Sequence, residues 1–247
     1  MDGTRRILIW AVFALGIGAP ALQRLNRQTG ATVPLIVAAV AVVLLALAAA
    51  LLQQKKQKYF DVFCVSTTYM VFTLLATAVL AVSGVMQAMQ GGLVSAALGV
   101  LCMVGAVGLA VGAILQRQGK TPPARCFVPV VLFYALRLFR DFRQWMVDPA
   151  ILDYCFLLFA MISFMLAAYH MGAFSFDRGN SRALTFFVLV GFFFGFASPI
   201  APGAISAELF VYLGGALWMF SCMLQLQPRP VKAETETPEE PENHSEE

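Results

Sequence analysis

Leu93-Val-Ser-Ala-Ala-Leu-Gly-Val-Leu-Cys-Met-Val-Gly-Ala-Val-Gly-Leu-Ala-Val-Gly-Ala-Ile-Leu115 runs for 23 residues without one charged side chain. At 1.5 Å rise per residue, a helix of that length covers the roughly 30 Å hydrocarbon core of a bilayer. No water is present there to bond backbone N–H and C=O groups, and a helix satisfies them internally. The rest of the chain repeats the pattern. Of 247 residues, 60% are hydrophobic and 13% charged, against about 25% charged in soluble domains. The expected fold class is all-α, a polytopic transmembrane helix bundle embedded in a lipid bilayer.

Working outward, eight apolar runs predict eight membrane-spanning helices, near 7–22, 33–52, 62–86, 93–115, 127–145, 150–174, 183–200 and 204–226. They make residues 1–227 one transmembrane domain. Residues 23–32 hold Arg24, Arg27 and Gly30, residues 53–61 hold three lysines, and residues 116–124 hold Pro122-Pro123. Asp148-Pro149 reads as a helix start, the acid capping free N–H groups and the proline pre-set for the first turn. Pro199, Pro202 and Gly203 leave a tight hairpin between the last two runs. The first run also has the form of a signal peptide, with Arg5-Arg6, an apolar core and Ala19-Pro20-Ala21, although proline fits the cleavage motif poorly. Cleavage would leave seven spans.

With eight spans both termini share a side. The loops on that side, with the termini, hold twelve Lys and Arg against five opposite (Arg24, Arg27, Arg137, Arg140 and Arg143). The excess of basic residues in cytoplasmic loops then predicts an inner or plasma membrane protein with both termini cytoplasmic. Seven of the 14 acids fall in the last fourteen residues, so 228–247 reads as a disordered acidic cytoplasmic tail that cannot bury enough surface to order itself. It is either a solvated end or a docking segment for a cytoplasmic protein partner. The remaining body is basic, but its Lys and Arg lie at the ends of apolar runs and not on one polar face, so no nucleic-acid partner is expected.

Spans one to four and five to eight share a layout: an arginine-bearing first outer loop, a charged cytoplasmic loop and a chargeless outer turn. A 4+4 parallel repeat, an arrangement that transporters use, is one reading of it. Small-residue pairs, Ser95-x-x-x-Gly99, Gly108-x-x-x-Gly112 and Gly191-x-x-x-Gly195, predict close helix packing.

Against this background Tyr134-Ala-Leu-Arg-Leu-Phe-Arg-Asp-Phe-Arg-Gln-Trp-Met-Val-Asp148 and the following Asp153-Tyr154 stand out. At 100° per residue, Arg137, Arg140, Asp141 and Gln144 share an arc of the fifth span with Val130, Phe133 and Tyr134, opposite Leu138, Phe139 and Phe142. Arg137 falls about 15 Å into the span, near mid-bilayer. An ionisable group at that depth marks a site or an ion pair. Arg137 and Asp141 have the i, i+4 spacing of a pair, and Asp153 and Glu208 lie on the same outer side. In one reading Arg137, Asp141, Asp153 and Glu208 neutralise one another and clamp helices. In the other, Arg137, Arg140, Asp141, Arg143, Asp153, Tyr154 and Glu208 line an outward-facing pocket for a small anion or an anionic lipid headgroup, which the arginine fork suits.

His170 reads as an interfacial hydrogen-bonder, the Phe192–Phe194 run as lipid-facing or core surface, and Thr67, Thr68, Tyr69 and Thr73 as a mildly polar stretch. The five cysteines carry no metal or disulfide spacing. There is no H-E-x-x-H, G-x-S-x-G or P-loop, so no cofactor is expected and an enzyme, as an intramembrane hydrolase or lipid transferase built on Asp141, Asp153 and Glu208, is the least supported class. A transporter or permease-like module is the first functional expectation, and a sensor or accessory subunit the second. The layout resembles small bacterial inner-membrane proteins only generically.

Overall fold

The structure, a computed structural model, describes residues 33–52, 59–63, 65–145, 155–197 and 206–225. Its elements are α1 (Val33–Leu52), α2 (Tyr59–Val62), α3 (Thr67–Met89), α4 (Leu93–Arg117), a 3-10 turn (Ala124–Cys126), α5 (Val128–Trp145), α6 (Cys155–Phe174), α7 (Ser181–Ala197) and α8 (Ala207–Gln225). Among the described residues there is no strand. Helices α3, α4, α6 and α8 are long and apolar enough to cross a membrane; residues 39–49 of α1 and all of α7 form shorter apolar helices. The predicted first span, with its signal-peptide alternative, lies outside the described residues, as do the acidic tail and the Asp148-Pro149 and Pro199–Gly203 breaks.

The punctuation works as local chemistry requires. Gly91 and Gly92 take φ of 78° and 90°, the left-handed region that glycine enters freely, and turn α3 tightly into α4. At the end of α4, Gly119 donates to the Gln116 carbonyl and Lys120 to the Leu115 carbonyl, each at 3.0 Å, which closes off the last orphan carbonyls. Helix α6 ends the same way with Asp177 at φ 53°. Asn180 and Ser206 accept from the backbone N–H groups of Ala183 and Leu209, capping α7 and α8. The third predicted span starts later than expected, at Thr67, because α2 forms a separate turn before it.

Helices α3 to α8 each pack on the next, and α8 returns to α3, so six helices close a ring; α1 lies against α7 from outside. Phe164 of α6 sits where four helices meet. Its ring lies 5.3 Å from that of Tyr134 on α5 and against Gly195 of α7 and Gly215 of α8. A Cβ on Gly215 would come within 2.5 Å of the Phe164 ring, so the approach of α8 to α6 depends on that glycine. Truncating such a ring leaves a cavity costing about 3–5 kcal/mol.

Helix α7 is enclosed by α1, α6 and α8, and Phe192, Phe193 and Phe194 are all buried. Of the two places the sequence leaves open for that run, the core is the one found. The opposite environment appears on α4, where Val100, Val104, Val107, Val111 and Ile114 recur every three or four residues and are all exposed. A continuous apolar stripe of this kind is a liability in water and suited to lipid.

The two ends of the ring differ. At the end expected to face the cytoplasm, the Tyr59 hydroxyl donates to Gln116 Oε1 at 2.8 Å, Phe63 packs edge-on to Phe174, and the Ser175 hydroxyl donates to the Pro122 carbonyl. Burial, with Tyr69 and Cys222 nearby, pushes the Tyr59 hydroxyl well above its ordinary range, so it remains a donor. The opposite end holds the C-terminus of α5 and the start of α8, and there the charges meet.

Candidate functional site

Helix α5 presents the face that the sequence periodicity assigns to protein. Val130, Phe133, Tyr134, Arg137 and Asp141 are buried and Arg140 is half-buried, while Phe139 and Phe142 are exposed. Leu138 departs from the expected lipid face: it is partly buried and packs on the core. Arg143 is exposed at the end of the helix.

Arg137 is 4% exposed and Asp141 6%. Arg137 Nε lies 3.3 Å from Asp141 Oδ2, one helical turn away, and a terminal guanidinium nitrogen lies 3.6 Å from Glu208 Oε1 on α8. The Glu208 side chain is 64% exposed. The two carboxylates therefore hold the arginine unequally, one close and enclosed, the other longer and open to the surroundings. Arg137 Nε makes no aligned hydrogen bond among the described residues.

Glu208 is placed by its helix start. It stands in the first turn of α8, where a negative charge is favoured by the helix dipole. That turn is tied to α3: the Ser83 hydroxyl donates to the Ala207 carbonyl at 2.8 Å, and the Gln87 amide donates to Ser83 Oγ at 3.1 Å. Two tyrosines complete the cluster. Tyr212, one turn beyond Glu208, is within electrostatic reach of Arg137, Asp141, Glu208 and Tyr134, and Cys102 of α4 is within reach of Arg137. The hydroxyls of Tyr134 and Tyr212 are buried and have no hydrogen-bond partner among the described residues.

Of the seven residues expected to form the site, Arg137, Asp141 and Glu208 come together. Arg140 stands beside Asp141, close enough to act on its charge, and Arg143 is exposed. Asp153 and Tyr154 lie outside the described residues. Tyr212 and Cys102 were not singled out by sequence; Tyr212 carries a usable signal, its i+4 spacing from Glu208, whereas Cys102 depends on which helix neighbours α5.

Chemically the cluster is a buried guanidinium with one enclosed and one exposed carboxylate, beside two buried hydroxyls able to donate. No protein-family model, curated protein or solved structure matches this chain. Among the described residues no group of three or more His, Cys, Asp or Glu is placed to hold a metal ion.

Farther from the cluster, polar side chains continue between α3 and α8. The Thr73 and Ser221 hydroxyls are 3.0 Å apart, Tyr69 is buried close to Thr73 and Trp218, and Gln225 is buried with neither amide atom paired among the described residues. The mildly polar stretch on α3 thus faces inward at Tyr69 and Thr73, while Thr67 and Thr68 are exposed. His170 stacks on Phe187 with ring centroids 5.5 Å apart.

Proposed function

We propose that the chain is a multi-pass membrane protein of about eight spans that acts as a transporter or permease-like module, taking a small carboxylate- or phosphate-bearing anion at Arg137 from its outer face. The observation that carries this reading is the unequal hold on Arg137. Asp141 neutralises the arginine inside the bundle, and the exposed Glu208 contact at 3.6 Å is the one an incoming anion displaces. The unpartnered Tyr134 and Tyr212 hydroxyls supply donors to the captured species. The polar side chains between α3 and α8 offer a route onward. The orientation with both termini cytoplasmic belongs to this proposal. A 4+4 repeat is not needed for it: such a repeat equates α3 with α7 and α4 with α8, and α3 packs along α8 without an equally extensive contact between α7 and α4.

The test is competition. Glu208→Gln removes the exchangeable counter-ion without removing Arg137, so in reconstituted vesicles a panel of small carboxylates, phosphate and sulfate should include one whose apparent affinity rises in Glu208→Gln and whose uptake is lost in Arg137→Gln. Uptake of every panel member unchanged by both substitutions would sink the proposal.

A second reading is favoured by the charge balance of the trio. Two carboxylates face one guanidinium, so no positive charge is left over inside the bundle, and the cluster then serves as a clamp between α5 and α8 in a sensor or accessory subunit that works through a cytoplasmic partner. That reading expects deletion of residues 228–247 to release a co-purifying protein; an unchanged set of partners counts against it.

A further inference from the structure

We infer that the groove between the start of α5 and the end of α6 holds an anionic phospholipid at the cytoplasm-facing end of the bundle. The groove has a volume of about 700 Å³, and its lining combines apolar walls with a few polar side chains. Phe127, Val131, Ala168 and Ala173 form apolar walls, and Val128 and Leu132, both exposed, open the groove toward the face that α5 presents to lipid. Arg178 and Asn180, just past the end of α6, and His170 within α6 add polar groups to the lining.

That lining matches one occupant: an acyl chain along the apolar wall and a phosphate at the rim where Arg178 and Asn180 stand. Arg178 is exposed and its planar fork suits a phosphate. Arg125, next to the lining residue Ala124, is exposed as well and adds a second positive charge at this end. Asp177 lies in the same turn as Arg178, and against its one negative charge Arg178 and Arg125 leave the rim net positive. Asn180 already spends its side-chain oxygen capping α7, which leaves its amide N–H groups to donate. Phe176, exposed in the same turn as Arg178, places an aromatic ring at this level, as membrane interfaces favour. A free phosphate would use the rim and leave the apolar wall unfilled. The site stands at the opposite end from Arg137 and does not depend on the function assigned there.

Native mass spectrometry of the detergent-solubilised full-length chain, mixed with equal amounts of phosphatidylglycerol and phosphatidylcholine, tests this. Phosphatidylglycerol should be retained in preference. Arg178→Ala should lower that preference about fivefold, the value of one basic side chain near an anionic headgroup. Leu132→Trp, which fills the groove from an exposed position, should reduce retention of both lipids, and inorganic phosphate in excess should not displace the lipid. Arg117→Ala is the control, since Arg117 sits at the same end but contacts Met70 of α3. Equal retention of the two lipids, equal losses in Arg117→Ala and Arg178→Ala, displacement by phosphate, or full retention in Leu132→Trp would each overturn the inference. Circular dichroism of each variant separates loss of the site from loss of the fold.

Discussion

An arginine 4% exposed inside a helix bundle has lost most of its hydration, so Arg137 is tolerable only through its partners. Asp141, buried beside it, is equally dependent on the arginine. Removing one member leaves the other enclosed and uncompensated, a loss of about 3–5 kcal/mol, whereas removing both in favour of apolar side chains of similar volume is close to neutral. Arg137→Met should therefore unfold well before the parent chain in denaturant, and Arg137→Met with Asp141→Leu should recover most of the loss. Simple addition of the two single losses would show that the residues do not act as a pair. Glu208 behaves differently because its side chain is exposed: Glu208→Gln should change stability by no more than about 0.5 kcal/mol. A stability effect as large as that of Arg137→Met would move Glu208 from exchangeable counter-ion to structural partner.

At the scale of the helix, α5 is where the sequence is most legible. Charges on an otherwise apolar run stand out, and a 100° rotation per residue sorts Tyr134, Arg137 and Asp141 from Phe139 and Phe142 without any knowledge of neighbours. What the neighbours decide was not legible. Phe192, Phe193 and Phe194 have the same hydropathy in lipid or in a core, and only the enclosure of α7 by α1, α6 and α8 buries them. Leu138 packs inward and Cys102 approaches Arg137 for the same reason, that a single helix does not encode which helix lies beside it. Small-residue pairs fall between these cases. Ser95-x-x-x-Gly99 signals a close approach, and the structure supplies the partner: a Cβ on Gly99 would lie 2.5 Å from the Gly84 carbonyl oxygen and 2.8 Å from the Ala88 nitrogen. Both are backbone atoms, which cannot rotate aside. Gly99→Leu should force α3 and α4 apart and lower stability by about 1–3 kcal/mol, read as an earlier thermal transition in detergent. An unchanged transition would mean that the α3–α4 hairpin is looser than this contact requires.

For the whole molecule, counting charges gives an expected orientation, and α4 is the element that tests it most directly. It has no charged residue from Leu93 to Gln116, it is long and apolar enough to cross a membrane, and both of its ends are marked by exposed glycines in left-handed turns, Gly92 before it and Gly119 after it. A fused reporter at either turn interrupts no helix and displaces no buried side chain. Three lysines precede α3, and Arg117, Lys120 and Arg125 follow α4, so both of those segments are expected on the cytoplasmic side, where basic residues are retained. The chargeless turn at Gly91-Gly92 is then the part of the hairpin that crosses. A phosphatase fusion after Gly92 should be active outside, and a fusion after Gly119 should be active only with a cytoplasmic reporter. The reverse result would invert the protein and place the Arg137 cluster at the cytoplasmic end, where the phospholipid groove is now assigned. Both fusions reporting the same side would remove α4 as a span and leave its valine stripe facing something other than lipid.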